Sequence, residues 1–380
     1  MALTLHGTVS DNTVALDRKT ATPLIINGDM ALSQRGTSTS SASTDSYFAC
    51  DRWRTNISNY GAYTISQSTD VPTGYGFANS FKIDCTTADA SPASGDLFTF
   101  EQRCEGQNFQ IFNKGTSGAE TFTLAFWIKS NLTGNFTVNL VDQDNSRRIG
   151  SLVTISSANT WEKKVLSFAA DTTGALGNDN GDSFRIQFFL GVGSDFTSGT
   201  LPSAWESATT ANFAAGQTAF IGSSTSNELF ITGLQLEVGT FDANSIPAFQ
   251  FEDVSTSLGR CQRYFQKSFP QGTDPQNYSS YVAGQSDNSI GGTMSSTEFK
   301  TVIPLKCEMR SAPTITYYRA QNTPEDSEWT FYDGADKLNP SSMASNAQTH
   351  RFTAVLTYSS GLTAGNAGLC QGNYTAEAEL

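Results

Sequence analysis

Two neighbouring stretches decide the fold: Phe122-Thr-Leu-Ala-Phe-Trp-Ile-Lys129 and Asn135-Phe-Thr-Val-Asn-Leu-Val141. In the first, Phe122, Leu124, Phe126 and Ile128 recur at every second position; in the second, Phe136, Val138 and Leu140 do the same. A period of two puts one set of side chains on one face of a strand, whereas a helix needs apolar residues three and four apart. Asp142-Gln-Asp-Asn145 supplies turn residues, and the chain returns as Arg148-Ile-Gly-Ser-Leu-Val-Thr-Ile155. Working outward, 161–168, 183–190 and 228–238 read as further strands, with Gly, Asn and Asp crowded into 174–182. Strands at this spacing, without helices between them, predict an all-β chain with a jelly-roll-like two-sheet sandwich over 22–250.

Composition agrees. The 380 residues include 45 Ser and 46 Thr, and only 16% are charged, against about 25% in ordinary soluble domains. Thr, Phe and Tyr favour strands, and Gly, Ser, Asn and Asp make the turns between them. With 38% hydrophobic residues and 26 Phe, the chain can bury a real core. The formal charge of -13 argues against nucleic acid as a partner, because a phosphate backbone is bound through released counterions and basic side chains. No apolar run approaches the ~18 residues of a membrane span. The start, Met1-Ala-Leu-Thr-Leu-His6, lacks the basic flank and apolar block of a secretory signal, which implies folding in a reducing cytoplasm. Cys50, Cys85, Cys104, Cys261, Cys307 and Cys370 are too scattered for a zinc site and are expected to be buried free thiols.

The chain divides into four parts, of which this sandwich is the second. Residues 1–21 form a leader too small to fold alone, and Pro23 opens a short expected strand at 24–26. Over 251–269, Val254, Leu258, Cys261 and Phe265 follow the spacing of one helix face, capped by Asp253 or Ser255 and ended before Pro270. This helix reads as a connector to a second β-sandwich domain over 270–380. Strands are expected there at 298–303, 314–318, 328–332 and 351–358, with loops at 284–297 and 333–349.

A set of short motifs carries a resemblance. Asn27-Gly28-Asp29-Met30, Ser33-Gln34-Arg35-Gly36-Thr37 and Asp51-Arg52-Trp53 resemble the opening of a carbohydrate-binding-module-like domain common in bacteriophage tail fibre and related virion proteins. Gly233-Leu-Gln-Leu-Glu237 resembles its closing strand, and Cys261-Gln-Arg-Tyr-Phe265 the segment that follows. Met309-Arg310, Pro313 and Tyr374-Thr-Ala-Glu-Ala-Glu-Leu380 resemble the C-terminal region of such chains. The resemblance covers roughly 22–380 and leaves the leader out. It implies a structural virion protein made in the host cytoplasm and displayed on the virion surface. In that reading the chain is a homotrimeric tail fibre or spike, docked on other virion proteins through the leader and recognising a host-surface glycan or protein. The alternatives are a capsid decoration or head-fibre protein and, third, a glycan depolymerase.

Residues that could carry chemistry are few. His6 and His350 are the only histidines, so a Ser-His-Asp triad has little to draw on, and no metalloprotease, P-loop or nucleophile-elbow motif is present. The chain is expected not to be an enzyme and to need no cofactor. Glu101 with Glu105, or Asp142 with Asp144, are the carboxylate pairs a glycosidase would use. Asp142, Asp144 and Asn145, or Asp179, Asn180 and Asp182, could instead hold a structural Ca²⁺ through loop oxygens. Trp53 reads as core, and Trp127 faces away from it, under a loop or exposed. Tyr317, Tyr318, Trp329 and Tyr332, apolar bodies with polar tips, are the expected receptor contacts.

Overall fold

The computed structural model describes residues 19–20, 22–278, 287–319, 329–333 and 336–380. The described chain forms two compact units, one made of 22–31, 39–47 and 53–252, the other of 32–38, 48–52 and 253–380. The second unit therefore takes two short segments from the N-terminal part of the sequence, and the helix expected as a connector belongs to it. Of the leader 1–21, only residues 19 and 20 lie among those described; the expected anchoring role falls outside them.

The strands of the first unit are β1 Ser38–Ala42, β2 Ser46–Tyr47, β3 Arg54–Ser58, β4 Ala62–Ser68, β5 Ser80–Thr87, β6 Leu97–Glu105, β7 Phe122–Ser130, β8 Gly134–Asp142, β9 Arg147–Ile155, β10 Glu162–Phe168, β11 Asp182–Val192, β12 Glu206–Ser207 and β13 Glu228–Val238. They form a six-stranded sheet in the order β1-β4-β5-β13-β7-β10 and a seven-stranded sheet in the order β12-β9-β8-β11-β6-β3-β2. The pairings within both sheets are antiparallel. The alternating residues Phe122, Leu124, Phe126 and Ile128 all point inward and are buried, as are Phe136, Val138 and Leu140 from the other sheet. Rings meet across the interior: Phe126 lies 5.1 Å from Phe188 and Phe81 4.7 Å from Phe100. Trp53 is fully buried and stacks on Phe100 at 4.7 Å. Two sheets with facing apolar sides make the sandwich that the period-two pattern predicts.

Residues 24–26 do not form the expected strand. Ile25 and Ile26 are buried, but the backbone of Ile26 is satisfied by the side chain of Gln102, whose amide accepts from its N–H at 2.9 Å and donates to its carbonyl at 2.8 Å. A side chain replaces the neighbouring strand, so the segment bends instead.

The second unit contains α1 Val254–Gln262 and the strands β14 Phe265–Lys267, β15 Asp287–Thr293, β16 Glu298–Pro304, β17 Thr314–Tyr318, β18 Thr330–Asp333, β19 Asp336–Leu338, β20 Ser342–Gln348, β21 Arg351–Thr357 and β22 Ala367–Glu377. Asp253 caps α1, accepting from the N–H groups of Ser255 and Thr256. The helix is shorter than its apolar spacing suggests: Val254 is exposed and Phe265 already lies in a strand. β22 organises this unit. Its first half pairs with β15 and β18, and its second half with β14 and β17. Phe299, Trp329, Phe331, Phe352, Leu356 and Tyr374 share the core. The stretches expected as loops at 284–297 and 333–349 contain β15, β19 and β20.

Candidate functional site

The outward face of the six-stranded sheet is where the first unit leaves aromatic rings uncovered. Trp127 alternates out of the core on β7, and Lys163 of the edge strand β10 stands opposite it in register. On the other side of β7, the pairing of β13 slips between Thr232 and Gln235. Gly233 sits in this bulge at φ +65°, and a Cβ there would meet the Phe77 ring at 2.5 Å. Only glycine suits both the left-handed backbone and the space. The bulge thus seats Phe77, which packs 5.1 Å from Phe249 and 5.3 Å from Phe251.

Between these loops and the sheet runs a groove of about 370 Å³. Tyr75 reaches over it and meets Trp127 at 4.3 Å, with 54% of its own surface still exposed. Phe251 is 47% exposed. Gln235 lines the groove from β13. Its Nε2 donates to the Pro247 carbonyl at 2.9 Å, while Oε1 is buried and has no hydrogen-bond partner among the described residues. Lys163 carries the only charge among the lining side chains, and partial desolvation of its exposed side chain lowers its pKa. Chemically, the groove offers apolar ring faces and one ammonium.

The residues expected to contact a receptor lie in the second unit, where they have packing roles. Trp329 is buried, donates to the Asn373 carbonyl at 2.8 Å and packs edge-on to Tyr317 at 5.2 Å. The Tyr317 hydroxyl donates to the Ala344 carbonyl, and Tyr318 packs against Phe269. Tyr332 is half-buried on β18. Trp329 and Tyr374 also line a cavity of about 280 Å³ with Asp287 and Lys306. In the first unit, exposed Tyr75 meets partly buried Trp127; of the groove's rings, the sequence pattern singles out only Trp127.

The acidic residues are taken up by protein donors. Asp142 is buried against Lys114 and accepts from the Asn145 backbone at 2.9 Å. Asp144 accepts from the Gly177 N–H, Asp179 from the Gly181 N–H, and Asp182 pairs with Arg185. Among the described residues, no three His, Cys, Asp or Glu side chains are grouped to hold a metal. Glu101 is fully buried on β6, with Arg54 at 2.5 Å, Arg103 at 2.8 Å and the Gln187 amide at 2.7 Å. Burial pushes its pKa up, but Arg103, Arg54 and Arg185 outweigh that and hold it below the usual carboxylate range. A carboxyl so held is a poor proton donor. Glu105 is buried and accepts from Gln107. His350 lies in an exposed turn, and His6 lies outside the described residues. The six cysteines are free thiols, five of them buried.

The motifs that carried the resemblance turn out to be joints. In the first unit, the Asn27 carbonyl accepts from the Trp53 indole at 2.9 Å, and the Gly28 carbonyl accepts from the Leu234 N–H at 2.9 Å. A Cβ on Gly28 would sit 2.2 Å from the Leu234 oxygen. In the second unit, Gln34 binds Asp51 through its backbone at 2.9 Å and its side chain at 2.8 Å, and donates to the Phe265 carbonyl. Arg35 pairs with Glu377 and Glu379, and Arg52 with Glu379. Arg310 donates to the carbonyls of Ala378 and Glu379. Arg52 and Arg35 also lie over the rings of Tyr264 and Phe265, at 3.4 and 3.8 Å.

No protein-family model and no curated protein sequence matches the chain. Among solved structures, the enzymatically active domain of tailspike protein 4 from bacteriophage CBA120 is similar at 14% identity over 57% of this chain and 21% of that one, with a TM-score of 0.28. The match thus spans about a fifth of the tailspike chain. A family 11 carbohydrate-binding module from Clostridium thermocellum, solved with a β-1,3-1,4-mixed-linked tetrasaccharide, is similar at 10% identity over 55% of this chain and 98% of that one, with a TM-score of 0.27. The N-terminal cellulose-binding domain of Cellulomonas fimi β-1,4-glucanase C is similar at 14% identity over 55% and 99%, with a TM-score of 0.22. Likenesses at these scores assign no residue and no ligand to this chain.

Proposed function

We propose that the protein is a non-enzymatic, glycan-binding component of a bacteriophage particle, a tail fibre or spike, and that its first unit holds a host-surface glycan in the groove over β7, β10 and β13. One observation carries the binding site: an open groove of about 370 Å³ sets the solvent-reaching rings of Tyr75 and Trp127 beside the Lys163 ammonium. The C–H face of a sugar ring packs on aromatic faces while its hydroxyls seek acceptors, and binding sites combine apolar walls with a few placed polar groups. The ion-paired state of Glu101 supports binding over cleavage. The placement on a virion and the homotrimer rest on what the ordered motifs of 22–380 resemble; attachment through the leader rests on 1–21 being too short to fold alone.

Trp127→Ala and Tyr75→Ala should each weaken binding to host-surface polysaccharide by about tenfold, a change of roughly 1.4 kcal/mol, with far-UV circular dichroism unchanged. Binding unaffected by both substitutions would remove the groove from the function. Immunogold labelling of particles should mark the tail; labelling spread over the head alone would replace the fibre with a capsid decoration.

A further inference from the structure

Lys163 differs from the other lysines whose side chains are described. Lys19, Lys82, Lys114, Lys129, Lys164 and Lys300 hold carboxylates, and Lys267 and Lys306 donate to backbone carbonyls. Lys163 has neither kind of partner, although acidic residues outnumber basic ones by 36 to 23 in the chain. It stands directly across from Trp127, and none of the residues lining the groove carries a carboxylate.

We infer that the glycan held in the groove is acidic, its carboxylate or phosphate set against the Lys163 ammonium while a sugar face packs on Tyr75 and Trp127. The inference rests on the groove reading above and adds the charge of the ligand to it. Three observations meet in it. The ammonium is left uncompensated where its neighbours Lys129 and Lys82 are neutralised by Asp70 and Glu228. It lies beside rings, where an ion pair is less diluted by water than on an open surface. The register fixes it one strand spacing from the stacking platform, about 4.8 Å, which is within the reach of an anionic substituent on a stacked sugar. The overall charge of -13 does not oppose this, because at physiological salt charges more than ~8 Å away are largely screened.

The test uses the full chain on an array holding neutral glycans, uronate- or sialate-bearing glycans and sugar-phosphate polymers, followed by titration of the best binder. The expected binders are acidic. The carboxylate and phosphate arms show which anion is held. Lys163→Gln should weaken binding about tenfold, Lys163→Arg should keep most of it, and rising salt should weaken the wild type more than Lys163→Gln. Lys163 is exposed on an edge strand, so the thermal unfolding of the variant should match the wild type. Binding of neutral glycans only, of no acidic glycan, or of an acidic glycan with equal affinity by Lys163→Gln would overturn the inference. The groove reading fails separately: there, Trp127→Ala also leaves binding unchanged. Loss in Trp127→Ala with none in Lys163→Gln sinks the charge and keeps the groove.

Discussion

Glu101 shows how far a single residue can be read from its neighbours in sequence. Glu101-Gln-Arg-Cys-Glu105 suggests two carboxylates on one side of an exposed strand, near Arg103. Arg103 is indeed a partner, but β6 lies between β11 and β3, so Gln187 and Arg54 arrive from strands far away in sequence and close over the carboxylate. No local pattern announces partners of that kind. The burial has a consequence for stability. The folded pKa of Glu101 lies below its unfolded value of about 4.3. Its contribution is therefore fully present above that pH and is lost as pH falls through the folded value. Glu101→Gln leaves three arginines facing a neutral amide and should cost about 3 kcal/mol at pH 7. In urea unfolding at a series of pH values, the gap between wild type and variant should close below about pH 4. A gap of constant size would mean that the carboxylate's charge is not what stabilises the sheet.

At the scale of elements, strands announced themselves where one face is apolar and the other polar. β7 to β11 and β13 lie close to their expected positions for that reason, as do β16, β17 and β21. β20, Ser342-Met-Ala-Ser-Asn-Ala-Gln348, alternates only between exposed and half-buried small or polar residues, and so reads as a loop. β22 has a long run of buried residues on both faces, which hides the period of two. The groove was the least legible feature. Tyr75, Phe77, Phe249 and Phe251 come from loops, where aromatic residues follow no period, and only the outward phase of Trp127 on β7 gave a signal. What brings them together is the bulge in β13. Gly233→Ala should force a side chain into left-handed backbone and against Phe77, at a cost of about 1–3 kcal/mol. It should also displace Phe77, so glycan affinity should fall in a protein that still folds. Unchanged affinity would mean that the groove does not depend on the bulge.

Across the whole molecule, neither unit is one continuous stretch of the sequence. One unit runs to 252 and the other takes up the chain from 253, yet 32–38 and 48–52 belong with 253–380. The residues they contribute are charged and enclosed: Arg52 is 1% exposed, and Glu379, which it shares with Arg35, is 6% exposed at the side chain. Removing one partner from a buried pair leaves an uncompensated charge and costs several kcal/mol, a large part of the usual 5–15 kcal/mol stability of a domain. A fragment of 253–380 would lose Gln34, Arg35, Asp51 and Arg52 together, stranding Glu379 and uncovering the rings of Tyr264 and Phe265. It should therefore unfold at a much lower temperature than the same region within 22–380, or show no cooperative transition at all. Tyrosine and tryptophan fluorescence would follow this, since Tyr264, Trp329 and Tyr374 are all buried in that unit. Arg52→Ala in the longer chain should move partway in the same direction, because it breaks one arm of the cluster and leaves Arg35 on Glu379. A fragment that melted as the longer chain does would show that the N-terminal segments decorate a unit already complete without them. The ordered motifs Ser33 to Thr37 and Asp51 to Trp53 would then need another explanation than the clasp they form with the chain's last residues.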